Sequence, residues 1–301
     1  MLKKIIIPEP EEGLKFIDVH CHLPFPRPKN DQLPSDDEQY ANFFKLGGVY
    51  LITSTIDLNT LELTLNFIKK QKRNFGFCCG WAPQTVTYTP QKKHDQNFKK
   101  WIEYLKNNPD KYLAIGEIGL DFHHAKSLEK RSRQIEILRQ IFETTKSLDK
   151  PYVLHIRNAA KHEFDPQNPK HRYNKEDGAN KEILNILEDY NINSKKVMWH
   201  CFSGPQEYGK TLSMRGFLLS IPSSSFGFDR WRKVIENAEL KSLVTETDSY
   251  YQHPYKRGPV NIPSNARYSI AAIAYTHNIP QKKVSEITVQ NAIEFFQLEI
   301  S

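Results

Sequence analysis

"FIDVHCH" (16–22) is a short apolar run that closes on Asp18, His20 and His22. In an extended strand alternate side chains share a face, so these three would point one way and Cys21 the other. Two imidazoles and a carboxylate at a strand end fit a pair of metal ligands. They fit equally a buried histidine pair satisfied by backbone groups. The rest of the chain separates the two readings.

Similar β-branched or aromatic runs recur along the sequence. With "KFIDV" (15–19) they are "VYLITS" (49–54), "FGFCCG" (75–80), "YLAIGE" (112–117), "YVLHI" (152–156), "KVMWH" (196–200), "GFLLSI" (216–221) and "SLVTE" (242–246). Segments of helical spacing lie between them, over 37–46, 58–73, 94–107, 128–148, 178–190, 206–214, 229–238 and 264–277. The clearest is "SLEKRSRQIEILRQIFETTKSL", with Ile135, Leu138, Ile141 and Phe142 on one stripe. Strands and helices alternating eight times predict parallel βαβ units and an α/β fold, a single (β/α)8 barrel over residues 1–301. Residues 1–14 read as an N-terminal extension, and the polar stretch 161–178 as a loop insertion after the fifth strand.

In such a barrel the chemistry sits where the strands end. The first strand ends in His20 and His22, the fourth in Glu117, the fifth in His155, the sixth in His200 and the eighth in Asp248. Four histidines and two carboxylates converging on one mouth predict a metal centre. Nitrogen and carboxylate donors together suit Zn²⁺, Mn²⁺, Co²⁺ or Fe²⁺ better than Ca²⁺ or Mg²⁺ alone. Six ligands exceed what one catalytic ion uses while keeping a position open for water. Two divalent ions sharing a carboxylate fit better, with Glu117 as the natural bridge. Cys21 and Cys201 adjoin ligands but fall on the opposite faces, as packing residues.

Composition narrows the rest. The chain is 39% apolar and 26% charged, with no apolar run long enough to span a bilayer. Its N-terminus is too short in apolar residues for a signal peptide, and its four cysteines form no disulfide framework, so the cytoplasm is the expected compartment. The formal charge of +7 fits an anionic partner, although most Lys and Arg lie in helix-like segments where a solvated face accounts for them. No nucleic-acid-binding module and no obligatory protein partner is evident.

The motifs "DVHCH", "AIGEIGLDF", "LHIR", "HCFSG" and "TETDSYY", followed by "RGPVNIPSN" and "TVQNAIEFF", resemble in order and spacing those of the TatD-like deoxyribonucleases of the amidohydrolase superfamily, from about residue 16 to 297. The resemblance implies one metal ion on His20, His22, Glu117 and Asp248 and another on Glu117, His155 and His200. It also implies DNA phosphodiester hydrolysis, often from the 3′ end, with single strands or ends as substrate and Asp248 accepting a proton from the attacking water. Zn, Mn, Mg and Co are the candidate ions. The chain departs from the family where Gly80-Trp81-Ala82-Pro83 replaces the usual Gly-x-His-Pro, in a long proline-rich loop after the first strand, and in the 161–178 stretch.

Around the ligands, Arg157 lies two residues beyond His155 and shares its inward face, suited to clamping a phosphate. Asp121 and His123 follow Glu117 as substrate-binding candidates, Asp121 also as a group that orients a ligand histidine. Glu246 lies on the face of Asp248 but deeper, in a structural role. Trp81, Phe122, Phe202, Tyr250 and Tyr251 fall near strand ends, where bases could stack. A dinuclear deoxyribonuclease is the leading reading. A superfamily hydrolase of a small ester, lactone or amide, and a non-catalytic metal-binding barrel, are the alternatives. The amidase version is weakened because the fourth strand offers Glu117 and no lysine.

Overall fold

The strands carry apolar residues on both faces because both are covered. A computed structural model describes residues 8–24, 26, 33–71, 74–159, 164–165, 168–172, 178–202, 204, 206–227, 229–255 and 260–300. Its eight-stranded parallel sheet runs in the order β1 (Phe16–Cys21), β2 (Gly48–Ser54), β3 (Phe75–Cys79), β4 (Ala114–Asp121), β5 (Tyr152–Arg157), β8 (Val197–Trp199), β9 (Leu218–Pro222) and β10 (Leu243–Glu246). The remaining two strands, β6 (Phe164–Asp165) and β7 (Asn168–Arg172), form an antiparallel hairpin after β5. Residues 161–163, 166–167 and 173–177 of the expected insertion over 161–178, and residues 1–7 of the expected extension, lie outside the described residues.

β1 and β10 meet to make a nearly closed barrel. Thr245 Oγ1 donates to the Ile17 carbonyl at 2.6 Å and Asp248 N to the His20 carbonyl at 2.9 Å. Asp18 completes the seam, accepting from Thr247 N at 3.0 Å and Thr247 Oγ1 at 2.5 Å.

Helices α1 (Asp36–Lys45), α2 (Leu58–Ile68), α4 (Gln91–Asn107), α5 (Leu128–Thr145), α6 (Ala179–Asp189), α7 (Gln206–Met214), α8 (Asp229–Asn237) and α9 (Arg267–His277) match the eight expected from sequence. Their starts follow local chemistry. Ser35 and Glu38 form a capping box on α1, Asp57 and Thr60 one on α2, and the Ser127 hydroxyl accepts from Lys130 N at the start of α5. Two further helices were not expected: the single-turn α3 (Pro83–Tyr88) and α10 (Gln281–Phe296). α10 lies against β1 and β10, and its Ala292 and Phe296 join the interior cluster, closing the bottom of the barrel.

The interior reads in layers. Ile17, Val19, Ile52, Cys78, Ala114, Val153, Met198, Leu218 and Val244 form one apolar cluster inside, whereas Phe16, Leu51, Phe77, Ile115, Leu154, Trp199, Leu219 and Leu243 pack outward under the helices. Two residues further along each strand, the inward position is polar on β2 (Ser54), β5 (His155), β8 (His200), β9 (Ser220) and β10 (Glu246). The apolar layer is thus the foundation on which the polar one rests.

Two strands break the alternation. The register of β1 slips between Asp18 and Cys21, so that three steps on β1 face two on β2. Ile17 and Val19 face in, the extra residue shifts the phase, and His20 and His22 face the mouth. Asp18 therefore does not share their face as expected, but binds the seam. On β4 the register slips between Gly116 and Ile118, leaving Glu117 as the bulged residue. β4 runs on to Asp121, so Glu117 lies mid-strand and not at a strand end. Gly80 makes room for this bulge, since a Cβ there would lie 2.3 Å from Glu117 N.

Candidate metal centre

The structure brings His20, His22, Glu117, His155, His200 and Asp248 together above the apolar layer. Glu117 divides its carboxylate between two pairs of histidines. Oε2 lies 3.5 Å from His20 Nε2 and 3.6 Å from His22 Nε2. Oε1 lies 2.9 Å from His155 Nδ1 and 4.0 Å from His200 Nε2. Asp248 adds Oδ1 on the first side, 3.4 Å from His22 Nε2 and 3.8 Å from His20 Nε2. The two sides touch through His20 and His200, whose rings stack at 3.9 Å.

Each histidine is turned by a contact at its far nitrogen. His20 Nδ1 meets Ser54 Oγ at 3.1 Å, and His22 Nδ1 meets the Ser54 carbonyl at 3.1 Å. A carbonyl only accepts, so His22 Nδ1 carries the proton and Nε2 keeps its lone pair. His155 reverses this use of its ring: Nε2 donates to Asp121 Oδ2 at 3.0 Å and Nδ1 faces Glu117. Behind His200, Glu246 lies 3.6 Å from Nδ1 and is itself held by the Ser220 hydroxyl. Such contacts set ring orientation and tautomer in metal sites.

The electrostatics keep the carboxylates charged. Burial raises the Glu117 carboxyl, but His155, His20 and His200 outweigh it and hold the group well below the usual carboxylate range. Asp248 behaves alike, with burial outweighed by His22, His200 and His20. Burial also opposes charge on His155, yet Asp121 and Glu117 lift its pKa to about 10. His20 moves down, through burial and the neighbouring His200.

These residues fit a bound cation. His20 Nε2 is buried and has no hydrogen-bond partner among the described residues. Donor atoms of His20, Glu117 and His200, and of His20, His22 and Asp248, lie within 4.8 Å of one another. Metal–ligand bonds of 2.0–2.1 Å in a tetrahedron set ligand atoms about 3.3 Å apart. The 3.4–3.8 Å separations around His20 and His22 match that edge and are long for hydrogen bonds.

Residues 17–297 match the family model described as TatD related DNase. The chain belongs to that family. An uncharacterised metal-dependent hydrolase of Methanocaldococcus jannaschii is 28% identical over 284 residues, covering 94% of this chain and 98% of its own. A human protein named deoxyribonuclease TATDN3 is 26% identical over 292 residues, covering 94% and 95%. Among solved structures, the TatD homologue YjjV of Escherichia coli superposes with a TM-score of 0.74 at 20% identity, covering 94% of this chain and 98% of its own. The barrel expected from sequence is the family's fold.

The remaining sequence candidates sort by exposure. Asp121, offered as a substrate contact, is fully buried. Its Oδ2 accepts from His155 and Gln84, and its Oδ1 from His124 N at 3.0 Å, so it serves as the holder of His155. Arg157 is exposed at the end of β5, and His123 is half-buried in the loop after β4. Cys21 lies in the outer cluster, as a packing residue. Two contributors escape the sequence reading. Ser54 ends β2 as His155 nearly ends β5, and that polar strand end was its signal. Gln84, whose Nε2 lies 2.9 Å from Asp121 Oδ2, comes from α3 and had none.

Proposed function

We propose that the chain hydrolyses DNA phosphodiester bonds with the help of two divalent metal ions. The observation that carries this is the division of Glu117, with one oxygen toward His20 and His22 and the other toward His155 and His200. One ion would be held by His20, His22, Asp248 and Glu117, the other by His155, His200 and Glu117. When bound, such ions supply Lewis acidity and an ionised water at neutral pH. Zinc, manganese, cobalt and magnesium are the ions to test.

The chain's own residues do the rest. The Asp248 side chain is 14% exposed against 6% for Glu117, the more accessible of the two carboxylates, and its lowered pKa leaves it ionised. It accepts the proton of the attacking water. Asp121 and Glu246 fix the rings of His155 and His200 from behind. Arg157 offers its guanidinium at the mouth to a non-bridging phosphate oxygen, where charge grows in the transition state. His20, His22, Glu117 and His200 lie buried at the floor of the mouth, with His155 and Asp248 half-buried above them, so a scissile phosphate has to descend to them. A single strand or a frayed end is therefore the substrate we propose.

The test is a panel run on metal-stripped protein with each ion in turn: a single-stranded oligonucleotide, its duplex, a lactone and an amide. Single-strand cleavage should be fastest, and Asp248→Asn should slow it by the roughly 10²–10⁴-fold typical of a proton-transfer group. Turnover of the lactone or amide with no phosphodiester cleavage under any ion would transfer the site to a small-substrate hydrolase.

A further inference from the structure

Five aromatic residues stand near the strand ends, and the fold leaves them in different states. Trp81, Phe122 and Phe202 are buried, at 2%, 5% and 2% exposure. Trp81 is committed as well, donating its indole N–H to His94 at 3.0 Å and packing on Trp101. Tyr250 is half-buried with its hydroxyl on Asp36. Tyr251 alone of the five is open, at 62% exposure. Tyr88, also exposed beside the mouth, has its hydroxyl on His124 Nδ1 at 2.7 Å and the Lys130 ammonium over its ring.

Tyr251 is exposed but firmly placed. Its backbone N–H donates to the Asp248 carbonyl at 2.8 Å, so the chain turns tightly from Asp248 to Tyr251. On one side, Asn261 N holds the Tyr250 carbonyl at 3.2 Å. On the other, the Gln252 carbonyl accepts from Asn261 Nδ2 at 3.1 Å and from Ser223 Oγ at 2.8 Å, while Ser224 Oγ donates to Gln252 Oε1. The Asn261 side chain also reaches the Thr247 carbonyl at 3.0 Å, joining this clamp to the segment that carries Asp248. Tyr251 therefore stands just past Asp248, exposed, on a backbone fixed from both sides.

We infer that the Tyr251 ring is the stacking platform for the nucleobase next to the scissile phosphate, and so a specificity-determining residue of the site. The inference rests on the nuclease reading above. A base hangs one sugar away from its phosphate, so a phosphate on the metal centre brings that base to the rim where Tyr251 stands. Every base offers a π-face, so such a platform is tolerant of sequence but demands that a base be present. A ring held in place before binding also loses little freedom when a base settles on it.

The experiment removes the ring and the base separately. Fluorescence anisotropy would measure binding of a short single-stranded phosphorothioate oligonucleotide, which resists cleavage, to ion-loaded wild type, Tyr251→Ala and Tyr251→Phe, and of the same oligonucleotides with an abasic residue at each position in turn. Metal content of every variant after reconstitution would be checked by elemental analysis. Tyr251→Ala should weaken binding of the complete strand by roughly five- to hundredfold, the scale of one lost base–aromatic stack. Tyr251→Phe, which keeps the ring, should restore it, and metal content should not change. At one position the abasic substitution should weaken wild type by a similar factor and leave Tyr251→Ala almost unchanged. If abasic substitution at every position weakens wild type and Tyr251→Ala equally, the base rests elsewhere and the inference falls. Wild type that binds the strand but cleaves no phosphodiester with any ion would overturn the nuclease reading, while the binding comparison still decides the role of Tyr251.

Discussion

At the floor of the mouth, His20, His22, Glu117 and His200 are buried, and each histidine has a protein group behind it. At the rim, Arg157 and Tyr251 are exposed at or beyond strand ends, and His123 is half-buried in a loop. The floor stands on the apolar layer of the barrel, so moving a ligand means disturbing the packing beneath it. The rim is carried by the last residue of β5 and by connecting segments, which can change with less effect on the core. On the proposed function, metal chemistry and substrate choice are held by separate parts of one barrel, and variants in the two parts should differ in what they lose.

The largest effect belongs to the floor. Glu117 faces both pairs of histidines, so on the two-ion proposal Glu117→Gln should lower the retention of both ions in elemental analysis and reduce turnover by more than the roughly 10²–10⁴-fold scale of a single proton-transfer group. Unchanged occupancy would remove Glu117 as the bridge. Next comes the rim. Arg157→Met keeps side-chain bulk but removes the charge, and should lower kcat/KM on single-stranded DNA by about 10²–10³-fold, the scale of one lost oxyanion donor. Its metal content should equal that of wild type. A metal defect in this variant would erase the distinction between floor and rim.

The same division decides what could be read from the sequence. The parallel strands and the inward places of His155 and His200 are legible because period-two alternation over an apolar strand marks the inward polar residue, whereas β10 ends at Glu246 and Asp248 lies beyond it. Alternation failed where a bulge changes the count. Asp18 was set on the face of His20 and His22, and Glu117 at the end of its strand, since nothing local announces an extra residue in β1 or β4. α10 has no place in an eightfold alternation, and its role at the barrel bottom is a tertiary one. Gln84 lies 37 residues from Asp121 and meets it only through the fold.

A smaller effect separates a ligand from its support. Asp121 touches the His155 ring from behind and stands outside the ring of ligand atoms. Asp121→Asn keeps the shape but weakens the hold on His155, and metal affinity at the His155 and His200 pair should fall by about 10–100-fold. The pair formed by His20 and His22 should keep its affinity. Metal titration resolved into two binding steps would show one step weakened. Equal loss in both would mean that Asp121 supports the mouth as a whole.

The last distinction between floor and rim is in protons. Without metal, burial disfavours charge on His155, but Asp121 and Glu117 lift its pKa from 6.5 to about 10. A ligand imidazole has to be neutral, so an ion entering this pair below about pH 10 displaces a proton. Its affinity should therefore rise with pH, by up to about tenfold per unit from neutral until His155 is neutral without help. The stability of the metal-free fold has the opposite slope. A histidine whose pKa is raised on folding contributes fully below its unfolded value of 6.5, and that contribution fades as pH climbs toward about 10. Over this window the Tm of metal-free protein should fall more steeply than that of the loaded protein. Calorimetric titration in two buffers of different ionisation enthalpy would count the protons released on metal binding at pH 7. Asp121→Asn removes one of the two carboxylates that hold the proton, so fewer protons should be released. Arg157→Met, on the rim, should leave the count as in wild type. If wild type releases none, His155 Nδ1 is not a ligand, and the second pair of histidines belongs to the support of the first.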